Sequence, residues 1–138
     1  MVSEPAETAA AKTVLVVDDD EMFCVLVSGL LEIQGYRSVV APSGAPALKM
    51  LEDPEHKFDA VLLDFSMKPM NGRQILVLLR RISPSMPVVM MSGSEKEDIV
   101  EAGSQEAHLA FLLKPFSSKA LARAIQLACA ASPAAAAR

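Results

Sequence analysis

The chain has 138 residues, a length that suits one domain built on one core. Hydrophobic residues make up 51% and charged residues 22%, which supplies a core and argues against whole-chain disorder. A formal net charge of −4 and the absence of any Lys/Arg run speak against a general nucleic-acid binder.

Residues 1–12 mix Ala, Glu, Ser, Pro and Thr without periodicity and read as a flexible tail. They have neither the basic start nor the apolar centre of a signal peptide. No apolar run approaches the length of a membrane span, so no membrane insertion is expected. Cys24 and Cys129 stand among apolar neighbours at helical spacing and read as small buried hydrophobes, with no CxxC or Cys/His partner to suggest a metal site. A cytoplasmic setting is the expectation.

Thr13 to Val17 is a continuous apolar run that stops at Asp18-Asp19-Asp20, as a central parallel strand would. From Asp20 to Gln34 the residues Phe23, Leu26, Val27, Leu30, Leu31 and Ile33 recur at helical spacing, and Gly35 offers a stop. Arg37 to Ala41 reads as a second strand, and Ser43 caps a predicted helix to about Leu51. Phe58 to Leu63 is a third strand, again ending at an aspartate, Asp64. A Pro/Gly loop leads to a helix over Arg73–Ile82. Pro87 to Met91 is a fourth strand, followed by a helical stretch over Glu95–Ala102. Leu109 to Leu113 is a fifth strand, and Ser117 opens a last helix through Ala131. The domain is thus placed at 13–131, with a second tail over 132–138.

Strands alternating with helices imply an α/β fold, a parallel sheet covered on both faces. Ligands then bind at the carboxyl ends of the strands. Asp18, Asp19 and Asp20, then Asp64, Ser92-Gly93 and Lys114-Pro115 follow the first, third, fourth and fifth strands. Each alone has an ordinary explanation: an Asp as turn former or helix cap, a Ser as N-cap, a Lys as solvated amine. Their coincidence on one sheet edge is what carries information. Clustered carboxylates repel unless a cation compensates, hard oxygen ligands suit Mg²⁺, and a carboxylate can be a nucleophile toward phosphorus. The set fits phosphoryl transfer to an aspartate, a reaction that needs mainly positioning and charge neutralisation.

At these same residues the chain resembles the response-regulator receiver family. The run into Asp18-Asp19-Asp20 is similar to its first-strand acidic motif, and the segment from Val61 through Asp64, Met67 and Met70 to Gly72 to its phosphoacceptor loop. Pro87 to Gly93 is similar to its Ser/Thr-plus-small-residue motif and Phe111 to Phe116 to its final Lys-Pro motif. The likeness covers about residues 12–131, in the family's order. It implies a doubly wound, flavodoxin-like five-stranded sheet in the order 2-1-3-4-5 with helices on both faces. It implies a signalling domain in a two-component phosphorelay that catalyses only its own phosphorylation and dephosphorylation. Asp64 would be the phosphoacceptor, Lys114 its ionic partner and Ser92 a hydrogen-bond donor to the phosphoryl group. Asp19 and Asp64 would ligate Mg²⁺ with the backbone carbonyl of Ser66, and Asp18 would act mostly through water. Gly93 would leave room for the phosphate, and Ser66 and Ser94 would tune its lifetime. Lys114-Pro115 is expected cis. Phe111 would be an aromatic switch coupled to Ser92; it reads equally well as core packing.

The likeness further implies a histidine kinase or histidine phosphotransfer protein as donor and a downstream target protein or effector domain as reader. No direct nucleic-acid contact is expected, and a homodimer face would form from the fourth helix, fifth strand and fifth helix. The chain as given would signal by protein contact, as a free-standing regulator or as the receiver of a longer protein. Two departures stand out. Lys68 occupies the place where the family usually has Pro, with Pro69 one residue later. Gly103-Ser104 interrupts the fourth helix, and Ala107-His108 stands where the family commonly has a glycine. His108 and His56 read as loop or surface residues.

Other readings fit less well. A haloacid-dehalogenase-type phosphatase needs small residues after its Asp-x-Asp and an acidic pair after its Lys; here Glu21-Met22 follow, and no Asp or Glu comes after Lys114. A dinucleotide-binding enzyme would show GxGxxG after the first strand. A degenerate receiver working as an interaction module is opposed by Asp19, Asp64, Ser92 and Lys114 occurring together.

Overall fold

A computed structural model describes residues 11–93 and 107–130 of the chain. The elements are β1 (Lys12–Val17), α1 (Glu21–Ile33), β2 (Tyr36–Ala41), α2 (Gly44–Glu52), β3 (Ala60–Asp64), α3 (Gly72–Ile82), β4 (Val88–Ser92), β5 (Leu109–Leu113) and α4 (Ser118–Cys129). The strands form one parallel sheet in the order β2-β1-β3-β4-β5. This is the order the resemblance implied. The predicted helix over Glu95–Ala102, and Gly103-Ser104 with it, lie outside the described residues.

Strand periodicity divides the core in two. Val14, Val16, Leu62, Val89 and Met91 face Val27, Leu31, Leu121 and Ile125 of α1 and α4. Their alternates Leu15, Val17, Val61, Leu63 and Met90 face Ala47 of α2 and Ile75 and Leu79 of α3. β1 and β3 are buried on both faces, which is why they read as unbroken apolar runs.

The helix starts are set by side chains. Asp20 caps α1 by accepting from Phe23 N–H at 3.1 Å, and Ser117 caps α4 by accepting from Ala120 N–H at 3.0 Å. Asn71 and Gln74 form a reciprocal capping box at the start of α3. Gly35, at φ +87°, ends α1 in the left-handed region glycine favours. Ser43 is the N-cap of α2, but its side chain makes no capping hydrogen bond.

Some readings change. Phe58 and Asp59 precede β3 rather than opening it; Asp59 closes the sheet edge instead, its carboxylate accepting from Thr13 N–H at 2.8 Å. Cys129 is exposed while Cys24 is buried. The buried stripe of α4 runs through Leu121, Ala124, Ile125 and Ala128, and Cys129 falls one residue beyond it. On α1 the buried stripe is Cys24, Val27 and Leu31, so Leu26 and Ile33 face outward at 54% and 70% exposure. His108 is a half-buried turn residue at φ +61°, with its Nδ1 buried and lacking a hydrogen-bond partner. His56 is exposed beside Asp53 and stacks on Phe58. Among the described residues no helix is long and apolar enough to cross a membrane.

Candidate functional site

The carboxyl ends of β1, β3, β4 and β5 bring Asp18, Asp64, Ser92 and Lys114 together. Asp18, Asp64 and Ser92 are the buried polar or charged residues of the described chain; Asp19, next along, is exposed. Register explains the convergence. Val17 lies opposite Leu63 and Asp64 opposite Met91, so the residues leaving β1 and ending β3 share one level of the sheet. Lys114 N–H then donates to the Ser92 carbonyl at 2.7 Å, bringing the base of its side chain to the same edge. The Lys114-Pro115 peptide is cis, as expected.

The Lys114 ammonium lies 2.9 Å from Asp18 Oδ2 and 3.1 Å from Asp64 Oδ1. Asp18 also accepts from Asp20 N–H at 3.0 Å through its other oxygen, and its backbone carbonyl accepts from the Cys24 thiol at 3.5 Å. One cation thus serves two buried carboxylates. Burial pushes the Asp64 carboxyl above the usual range, Asp18 adds to the rise, and Lys114 only partly offsets them. For Lys114 burial works against the charge, but the hydrogen bond to Asp18 and the field of Asp64 outweigh it and raise its pKa. Burial, with Asp18 and Asp20 nearby, pushes the Cys24 thiol up to about 11, so it stays protonated and inert at neutral pH.

Carboxylate oxygens of Asp18, Asp19 and Asp64 all lie within 4.8 Å of one another. Among the described residues one ammonium, that of Lys114, is paired with this group. The donor set is all oxygen and the charge imbalance favours a further cation, so the residues present fit a hard divalent ion. The loop after Asp64 is anchored by Met67, which is fully buried, and by Gly72 N–H donating to Phe65 O at 2.8 Å. A Cβ on Gly72 would sit 2.7 Å from the Asp64 carbonyl oxygen and 2.8 Å from Phe65 Cα, so α3 can start this close to the end of β3 only with glycine there. At Gly93 an added Cβ would meet nothing within 4 Å among the described residues.

Ser66 and Lys68 are exposed in the loop. The Lys68-Pro69 peptide is also cis, which sequence reasoning did not foresee. Phe111 is half-buried on β5, packed against the core on the α2–α3 side, and borders a cavity of about 380 Å³ with Lys119, Arg123 and Leu127. Ser94 lies outside the described residues. Sequence reasoning also missed the contact of Phe23 with Lys114, whose ammonium sits 4.0 Å from the ring centroid. An aromatic residue two positions into a helix, read only as part of an apolar stripe, carried no signal of it.

Residues 14–126 match the family described as response regulator receiver domain. The chain belongs to that family. It is a receiver domain of two-component signal transduction, a family in which phosphorylation of an aspartate with Mg²⁺ is standard. Over 111 residues it is 34% identical to the transcriptional regulatory protein GlrR of Escherichia coli, a match that takes in 80% of this chain and 24% of that protein. The chain therefore spans about a quarter of that relative's length. Its fold matches the response regulator receiver domain protein of Clostridium thermocellum at a TM-score of 0.76 and 28% identity, covering 86% of this chain and 94% of that one. It also matches the receiver domain of the sensor histidine kinase PA1611 of Pseudomonas aeruginosa at a TM-score of 0.73, covering 85% and 96%. Identity there is 22%, and the likeness shows the fold alone. That structure holds a magnesium ion in its active-site cleft.

Proposed function

We propose that Asp64 is the phosphoacceptor of this receiver. The observation that carries the reading is the shared Lys114 ammonium, 2.9 Å from Asp18 and 3.1 Å from Asp64, beside an acidic triad with room for a cation. An Asp64 carboxylate oxygen attacks the phosphorus of a phosphohistidine. The O–P bond forms as the N–P bond breaks, and the imidazole departs with the bonding pair and takes a proton from solvent. Lys114 neutralises charge on the transferring group and Ser92 donates its hydroxyl to a phosphoryl oxygen. Asp18, Asp19, Asp64 and the Ser66 carbonyl are the residues that would hold Mg²⁺, whose chemistry here is neutralising phosphoryl charge. The protein contributes no more than this to its own phosphorylation and to the hydrolysis that resets it.

The donor is a histidine kinase or a histidine phosphotransfer protein, and the reader is a target protein or effector domain, all in the cytoplasm. Ser92 moving toward the phosphate, with Phe111 following, would carry the signal to β5 and α4, which together with the predicted helix over Glu95–Ala102 form the face expected to dimerise. Gly93, Ser66 and Ser94 would tune the lifetime of the phosphoryl group, as the family likeness implies. The working domain is 13–131.

Incubation with Mg²⁺ and acetyl phosphate, followed by intact mass, tests the core of this. One added phosphoryl group, dependent on Mg²⁺ and missing from Asp64→Asn, is the expected result. Failure to take either phosphoryl or the mimic beryllofluoride would end the phosphoacceptor reading and leave a domain acting by contact alone.

A further inference from the structure

The two carboxylates account for the charge around Lys114 but not for how a flexible side chain is kept between them. Lysine carries its ammonium on a four-carbon stem that must be ordered before it can serve a reaction. Its Nζ is 4.0 Å from the centroid of the Phe23 ring, within the range of a cation–π contact. The ring is itself held. Phe116 packs edge-on against it at 5.8 Å with an interplanar angle of 89°. The Phe23 backbone is pinned by the Asp20 cap at the start of α1.

Both aromatic residues belong to segments that carry the site. Phe23 lies in the first turn of the helix that Asp18-Asp19-Asp20 opens, and Phe116 follows Lys114 by two residues. The ring is half-buried.

We propose that Phe23 is a positioning residue for phosphoryl transfer: its ring face, braced by Phe116, holds the Lys114 ammonium between Asp18 and Asp64. The proposal rests on the reading of Asp64 as phosphoacceptor for its kinetic consequence and on geometry alone for the contact itself.

The test uses the full chain with Phe23→Leu, which keeps an apolar side chain without a ring, and Phe23→Tyr, which keeps the ring. Initial rates of phosphorylation by acetyl phosphate are compared at fixed Mg²⁺, after amide spectra establish that both variants fold. A desolvated cation–π contact implies a loss of about threefold to thirtyfold in Phe23→Leu, with most of it restored in Phe23→Tyr. In parallel, the ε-methylene protons of Lys114 are followed by NMR. Ring current shifts them upfield in the native protein and in Phe23→Tyr, and they move downfield in Phe23→Leu. Equal slowing in both variants, or Lys114 resonances indifferent to loss of the ring, overturns the proposal. If the native protein accepts no phosphoryl group, the reading of Asp64 fails by itself, and the Lys114 resonances still decide whether the ring holds the ammonium.

Discussion

At the amino-terminal edge of the sheet the Arg80 guanidinium donates to the Met86 carbonyl at 2.6 Å and to the His108 carbonyl at 3.0 Å, tying together the entries to β4 and β5. At the carboxyl-terminal edge the Lys114 ammonium is shared by the carboxylates of Asp18 and Asp64. Through these bonds the first cation satisfies backbone carbonyls, which need donors and carry no charge of their own. The second serves buried anions that outnumber it, with Asp19 adding a third. The carboxyl-terminal edge is therefore kept short of positive charge, a state that costs stability and leaves the site ready for a metal ion and a phosphoryl group. Removing a cation from each edge should separate the two cases.

The largest effect is expected from Lys114→Met, which leaves two buried carboxylates facing each other. Breaking such a group costs about 3 kcal/mol at pH 7, at the lower end for buried pairs because Lys114 keeps contact with solvent. The loss should shrink as the pH falls. Asp64 already has a raised pKa in the fold, so its carboxyl is most stabilised when protonated, below its ordinary value of 3.8, and that stability is lost as pH rises through the folded pKa. Taking away Lys114 raises the folded pKa further and deepens the neutral-pH cost only. Urea unfolding of both proteins at pH 7 and pH 4 measures this; an equal loss at the two pH values would contradict the charge account.

Arg80→Ala should cost less, about 2 kcal/mol, the scale of losing charged hydrogen bonds to part-buried carbonyls. Uptake of beryllofluoride should persist in the folded fraction, since these bonds lie at the opposite edge from Asp64. A variant that folds normally but no longer takes the mimic would mean the two edges are coupled, and the contrast between them would fall.

The sequence made some of this legible for physical reasons. β1 and β3 are buried on both faces, so Val14–Val17 and Val61–Leu63 stand out as unbroken apolar runs. The apolar runs stop at polar residues where the strands end, which put Asp18, Asp64, Ser92 and Lys114 on one edge. What stayed hidden depends on side-chain reach or helical phase. Nothing in the sequence says that Lys114 would bind Asp18 as closely as Asp64, or that Arg80 would span to His108. Phe23 occupies the same helical position whether it packs on Val14 or over an ammonium. Cys129 misses the buried stripe of α4 by a single residue, a shift within the error of any helical phase read from sequence.

The smallest of these effects has the opposite sign. Asp64→Asn removes one of the competing anions and keeps the shape, so Lys114 pairs with Asp18 alone. Stability at pH 7 should rise by about 1–2 kcal/mol, since replacing a poorly compensated buried charge with a neutral group of equal volume is commonly favourable. The gain belongs to the ionised form of Asp64. It should disappear below pH 3.8, where the native carboxyl is protonated in folded and unfolded chains alike. Mg²⁺ should narrow the difference from the other direction, by stabilising the native protein more than the variant through ligands that Asn supplies less well. A gain that persists in acid would have to come from packing rather than charge. A loss at pH 7 would mean that Lys114 fully satisfies both carboxylates, and the charge shortage ascribed to the carboxyl-terminal edge would fall.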